Sequence, residues 1–323
     1  MYRWIFQSVF CLVSVTACGV DPGIPVPNTV DFEASLSAYN IYQGDASSLT
    51  PTADYQVLEL GSTLYSDYSK KQRLVYIPDG TQITKIDNGI PQFPEGTILV
   101  KTFYFLVDAR DTSLGKQVME TRLEILGDGE WNVGTYVWNE EQTDAQLVLK
   151  GVDTTVSWVD SNGTEQTFDY HYPSQKECVA CHQLNEAVTP IGPSLRNLNI
   201  EIETADGTVS QLTSLQDNGL LTTFDVSTVS SIPDYHNETL SIEERGRAYL
   251  DMNCAHCHQP NAWQESSQKR FEFRYETSLS ETNILDKSDD IRRVFQDGEM
   301  PYLGTSVVHE EGWEIVREYL DSL

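Results

Sequence analysis

Two five-residue segments set thiols and an imidazole at one spacing: Cys178-Val-Ala-Cys181-His182 and Cys254-Ala-His-Cys257-His258. A c-type haem needs two thiols that add across its vinyl groups and an imidazole beside them that ligates iron. C-x-x-C-H supplies all three. With six cysteines and six histidines in 323 residues, two such segments are not an accident of composition. The competing chemistry is a four-cysteine zinc site built from both CxxC pairs. Zinc does not require a histidine after each pair, and an exported protein is an odd place for it. The expected cofactors are therefore two covalently bound haems c, with His182 and His258 as iron ligands.

The other two cysteines are accounted for at the N-terminus. Arg3 and the mostly apolar run from Trp4 to Val15 have the pattern of a secretory signal over residues 1–17, with Cys11 inside it. Val15-Thr16-Ala17-Cys18 resembles the lipobox of bacterial lipoproteins, which implies lipidation of Cys18 and a durable membrane anchor. Residues 18–30, with three prolines among small residues, then read as a lipidated tether. Gly19 in place of aspartate favours the outer membrane of a Gram-negative envelope, with the body facing the periplasm. No thiol is left for a disulfide.

Two kinds of pattern must position these motifs. Residues 31–165 carry β-branched and aromatic runs, Ile98 to Val107 and Glu120 to Ile125, punctuated by Pro78-Asp-Gly80, Asp87-Asn-Gly89, Gly127-Asp-Gly129 and Asp160-Ser-Asn-Gly163. They predict an antiparallel β sandwich or barrel. A first haem region comes next over 166–240, with a short helix expected in Thr208 to Leu221. In the second haem region, 241–323, Ser241-Ile-Glu-Glu244 predicts a capping box opening a helix through Asn253. Trp313, Val316, Tyr319 and Leu320 predict a closing helix. The expected fold class is multidomain β + α, the β-rich part followed by a mainly α-helical diheme region.

The second region resembles class I cytochromes c. Gly246 and Leu250 stand where that family's leading helix crosses its C-terminal helix, and Gly298-Glu-Met300-Pro301 resembles the loop that brings a methionine thioether to iron. The resemblance implies Met300 as sixth ligand of the second haem. Ile191-Gly-Pro193-Ser-Leu195 resembles the stretch whose proline carbonyl accepts the Nδ1 proton of the haem histidine, which implies that part for Pro193 toward His182. The first haem's sixth position is left open among His171, His236, His256, His309, Met252 and no ligand at all. Further stretches, among them Val100-Lys-Thr-Phe103, Glu120-Thr-Arg122 and Tyr136-Val-Trp-Asn139, are similar to a family of bacterial diheme c-type cytochrome lipoproteins. That resemblance implies electron transfer and little more.

A formal charge of −28 disfavours nucleic acid, whose phosphates need basic surface. It suits steering toward a basic redox partner. The expected function is electron transfer at the periplasmic membrane surface. The alternatives are a peroxidase-like haem enzyme with an open position at the first iron, and the cytochrome subunit of a dehydrogenase.

Overall fold

The computed structural model describes residues 20–205, 207–263 and 271–323. The expected signal peptide and Cys18 lie outside the described residues. In the front part, side chains alternate with the period of two that a strand imposes. Six strands result: β1 (Tyr55–Val57), β2 (Lys70–Tyr76), β3 (Ile98–Leu106), β4 (Lys116–Gly127), β5 (Glu130–Trp138) and β6 (Ala145–Val148). Each pairs antiparallel with the next, forming one sheet in chain order. Between β4 and β5, Asp128 and Gly129 both take positive φ, as a two-residue hairpin turn demands.

Both sheet faces are covered, by different parts of the chain. One face buries Leu74, Val100, Leu123 and Tyr136 beneath Leu36, Ile41 and Leu49 from the N-terminal loops. On the other, Val75 and Leu99 pack with Leu195, Leu198, Leu212 and Leu215 from beyond the expected boundary at 165. Each of those leucines contributes roughly 1.5–3 kcal/mol by its burial, so the two regions share a core. A separate hairpin, β7 (Val152–Val159) with β8 (Glu165–Tyr172), spans the expected boundary at 165 and packs Val156 and Tyr170 on Phe105 and Met119.

These observations correct the expected fold class. The β part is a single six-stranded sheet with a separate hairpin, not a sandwich or barrel. The rest of the chain is not mainly α-helical. Helix makes up 23% of the chain and strand 27%, and the helices described are short. They are α1 (Gln175–His182), α2 (Leu195–Leu198), α3 (Gln211–Asp217), α4 (Ile242–Asn253), α5 (Ser288–Gln296) and α6 (Glu310–Asp321). Pro190, Gly192, Pro193 and Pro233 break the chain between them. Asn218 and Gly219 end α3 before Leu220 and Leu221, so the leucines read as one helix are split. Residues 20–30, read as a tether, instead lie against the body: Ile24 and Val26 pack on the cluster around Val179, and Trp263 Nε1 donates to the Asp21 carbonyl at 3.0 Å.

The capping box at Ser241 forms with Glu244 and opens α4. α4 and α6 cross where Gly246 lies against Tyr319 and Gly312 against Tyr249. Side chains are absent on one helix where a ring stands on the other, so the helices approach closely and hold the end of α4 in place.

Candidate functional site

α1 carries the first motif. Ser174 and Glu177 form a reciprocal capping box that starts the helix. Cys178 faces β5, its Sγ 4.0 Å from Thr135 Oγ1, and packs with Val133, Val179 and Val188. His182 ends the helix. Its Nδ1 lies 3.1 Å from the Thr189 carbonyl, while the Thr189 N–H donates to the His182 carbonyl at 2.7 Å. Donation from Nδ1 to that carbonyl orients the ring and leaves Nε2 to bind a metal. The part expected of Pro193 thus falls to Thr189. Pro193 instead lines a small crevice beside Lys101 and Glu124. Burial first, and then the Lys101 charge, lowers the His182 pKa to about 3, so the imidazole is neutral.

α4 delivers the second motif. Its last turn runs into Cys254, whose N–H donates to the Leu250 carbonyl at 2.9 Å, and the His258 N–H donates to the Cys254 carbonyl at 2.9 Å. The His258 ring is buried and stands edge-on to Phe271 and Phe273 at 5.5 and 5.4 Å. Beyond α5, the Met300 N–H donates to the carbonyl of Val294 within that helix at 3.2 Å. The chain after Met300 is clamped: Asp67 accepts from the Ser306 and Val307 N–H groups at 2.8 to 3.0 Å. His309 stacks on Tyr65 at 4.0 Å between ring centres.

Cys254, Cys257, His258 and Met300 all line one cavity of about 540 Å³, with Tyr249, Phe271 and Phe273 among its walls. That size lies in the range of cofactor sites, roughly 300–1,000 Å³, which are mostly apolar with a few placed polar groups. The residues present fit a haem c at this motif.

The two motifs also approach each other. The ligand atoms of Cys181, His256 and Cys257 lie within 4.8 Å of one another. Cys178 and Cys254 stand apart from that group, so the four-cysteine zinc arrangement is not assembled. Burial pushes the Cys178 and Cys254 thiols up to about 12. Cys181 is also well above its ordinary value, first through its hydrogen bond with Cys257 and then through burial.

No family model matches this chain, and neither does any curated protein or solved structure.

The candidates for the first haem's sixth position are dispersed. His171 lies between Asp153 and Glu177, at 2.6 and 3.1 Å. His236 is exposed beside Tyr235. His309 belongs to the clamp, with Nδ1 3.1 Å from the Tyr249 hydroxyl. Met252 is buried, its sulfur accepting from Asn197 at 3.5 Å, and His256 stands by Cys181. Sequence reading missed a group of charged side chains beside the first motif: Arg73, Lys101, Glu120, Arg122 and Glu124. Part of their signal was present, since Lys101 interrupts β3 between the apolar Leu99 and Phe103 of the same face.

Proposed function

We propose that this chain is a two-haem electron carrier. Cys178, Cys181 and His182 hold one haem c, and Cys254, Cys257, His258 and Met300 hold the other. When bound, each haem supplies reversible one-electron chemistry at iron, and methionine opposite histidine raises the potential. The observation that carries this reading is the apolar cavity shared by the second motif and Met300, 42 positions beyond His258. Cys181 and Cys257, the second cysteine of each motif, lie close enough to set the two attachment edges side by side. That arrangement favours exchange of electrons within the chain. The net charge of −28 suits brief docking to a basic redox partner. No described helix is long and apolar enough to cross a membrane, and in this reading the lipid on Cys18 holds the protein at the envelope. The test is the haem-to-chain ratio in full-length protein matured with the c-type attachment machinery. It should be two, falling to one in C178A/C181A and in C254A/C257A. Absence of covalent haem from the wild type would refute the proposal.

One observation favours a second reading. Cys181, His256 and Cys257 are the donor types of a three-ligand zinc site with an open position. Zinc would have to displace the Cys181 thiol proton, which the hydrogen bond with Cys257 and then burial retain. Stoichiometric zinc in haem-free protein, lost in C257A, would establish that reading. Carbon monoxide binding to one ferrous haem would open the enzymatic alternative, whereas two six-coordinate low-spin irons would close it.

A further inference from the structure

The sheet face that meets α1 carries three cations in one transverse row. Antiparallel register sets Arg73 opposite Lys101, Lys101 opposite Arg122, and Arg122 opposite Thr135. Lys71 stands one step along, opposite Phe103. The heads of Lys71, Lys101 and Arg122 gather over the Phe103 ring at 5.8, 5.4 and 4.4 Å. Like charges directly opposite one another destabilise a sheet. Arg122 is offset by Glu120, which it grips through two nitrogens, and Lys71 donates to the Ser69 carbonyl at 3.2 Å. Arg73 and Lys101 make no hydrogen bond or ion pair through their side chains among the described residues. Glu120 and Glu124 are the carboxylates of these strands on this face, while Glu59 acts on Arg73 and Asp67 on Lys71 from outside the strands.

The row starts at the first motif. Thr135 lies 4.0 Å from Cys178 Sγ, and Glu124 lies 3.7 Å from His182 Nδ1. With strands about 4.8 Å apart, Lys101 is about 10 Å and Arg73 about 14 Å across the sheet from Thr135. Arg73 and Lys101 line a crevice of about 40 Å³ with Glu124, Leu60, Ile191 and Pro193. It is too small for a macrocycle, and its cationic wall suits carboxylate groups.

We infer that Arg73 and Lys101 receive the two propionates of the first haem, whose thioether edge is fixed at Cys178. This rests on the two-haem reading above. Two carboxylates would give Arg73 and Lys101 the partners their side chains lack among the described residues, and charge-assisted hydrogen bonds from Arg and Lys are the strong ones. A cation beside a haem disfavours the ferric state, which carries one more positive charge, so removing it lowers that haem's potential.

The experiment is spectroelectrochemical titration of the full-length holoprotein, resolving two one-electron steps, with haem counted in each sample. R73Q and K101Q should each lower one midpoint by about tenfold in equilibrium constant, about 59 mV for one electron. The other midpoint should stay fixed and two haems should stay attached, with K101R restoring the wild-type value. Unchanged midpoints in both variants, with two haems retained, would overturn the assignment. A wild-type midpoint that moves with added inorganic phosphate, and stops moving in R73Q, would also overturn it, since the row would then hold a free anion. A wild type without haem fails the underlying reading before any potential is measured. Should K101Q not accumulate, R73Q decides, because Arg73 ends the row and takes part in no other ion pair among the described residues.

Discussion

Gly246→Ala tests the helix crossing on which the second motif hangs. A methyl group at 246 would lie 2.5 Å from both Cβ and Cγ of Tyr319 and 2.8 Å from its Cδ1. Tyr319 is fully buried, and its Cβ moves only with its helix. To reach ordinary contact, α4 and α6 must separate by about 1 Å in an interior that is close-packed. Overpacking of this kind costs about 1–3 kcal/mol. Alanine returns up to about 1 kcal/mol through its better helix propensity. The obstructing atoms sit next to the backbone, so the upper part of the range applies and a net loss of about 1–2 kcal/mol is expected. Urea unfolding of the holoprotein, followed by far-ultraviolet circular dichroism, should show an earlier midpoint at unchanged slope. Cys254 comes directly after α4, so the Soret band of one haem should shift as well. A variant as stable as the wild type, or more so, would refute the close crossing.

Two further outcomes rest on single side chains. Met300→Ala should abolish the methionine-to-ferric-iron charge-transfer band and lower one midpoint potential, because the thioether favours ferrous iron; an unchanged band would remove Met300 as a ligand. His309 is lowered by burial from 6.5 to about 4, so between those values the unfolded chain binds a proton that the folded chain refuses. Stability should therefore fall as pH drops from 6.5 toward 4, by roughly 3 kcal/mol at full extent. Phenylalanine at 309 keeps a ring against Tyr65 without the titration and should flatten that slope; equal slopes in the two proteins would exclude His309 as the cause.

Local chemistry made part of this molecule legible. The capping box at Ser241 involves residues three apart, and the hairpin turn at Asp128-Gly129 needs only its own φ angles. Other features depend on partners that sequence spacing does not indicate. The acceptor for His182 is the Thr189 carbonyl, and since every residue carries a carbonyl, no residue type announces that role. Arg73, Lys101 and Arg122 align only through the register of three strands. A slip of one residue would send each side chain to the opposite face. The core shared across residue 165 was hidden for the same reason, because Leu195, Leu198 and Leu212 find Val75 and Leu99 more than ninety positions earlier.

The two motifs therefore depend on the chain in different ways. The second draws its cysteines, His258, Met300 and the crossing helices from residues 242–323, with Tyr65 and Asp67 reaching across to steady the loop after Met300. The first has a short helix and a carbonyl of its own, and borrows surroundings from the sheet, from Ile24 and Val26, and from His256 and Cys257 of the second motif. The sheet is thus a wall of the first motif. On the two-haem proposal, altering its charged row should act on the haem at the first motif while leaving the other as it was.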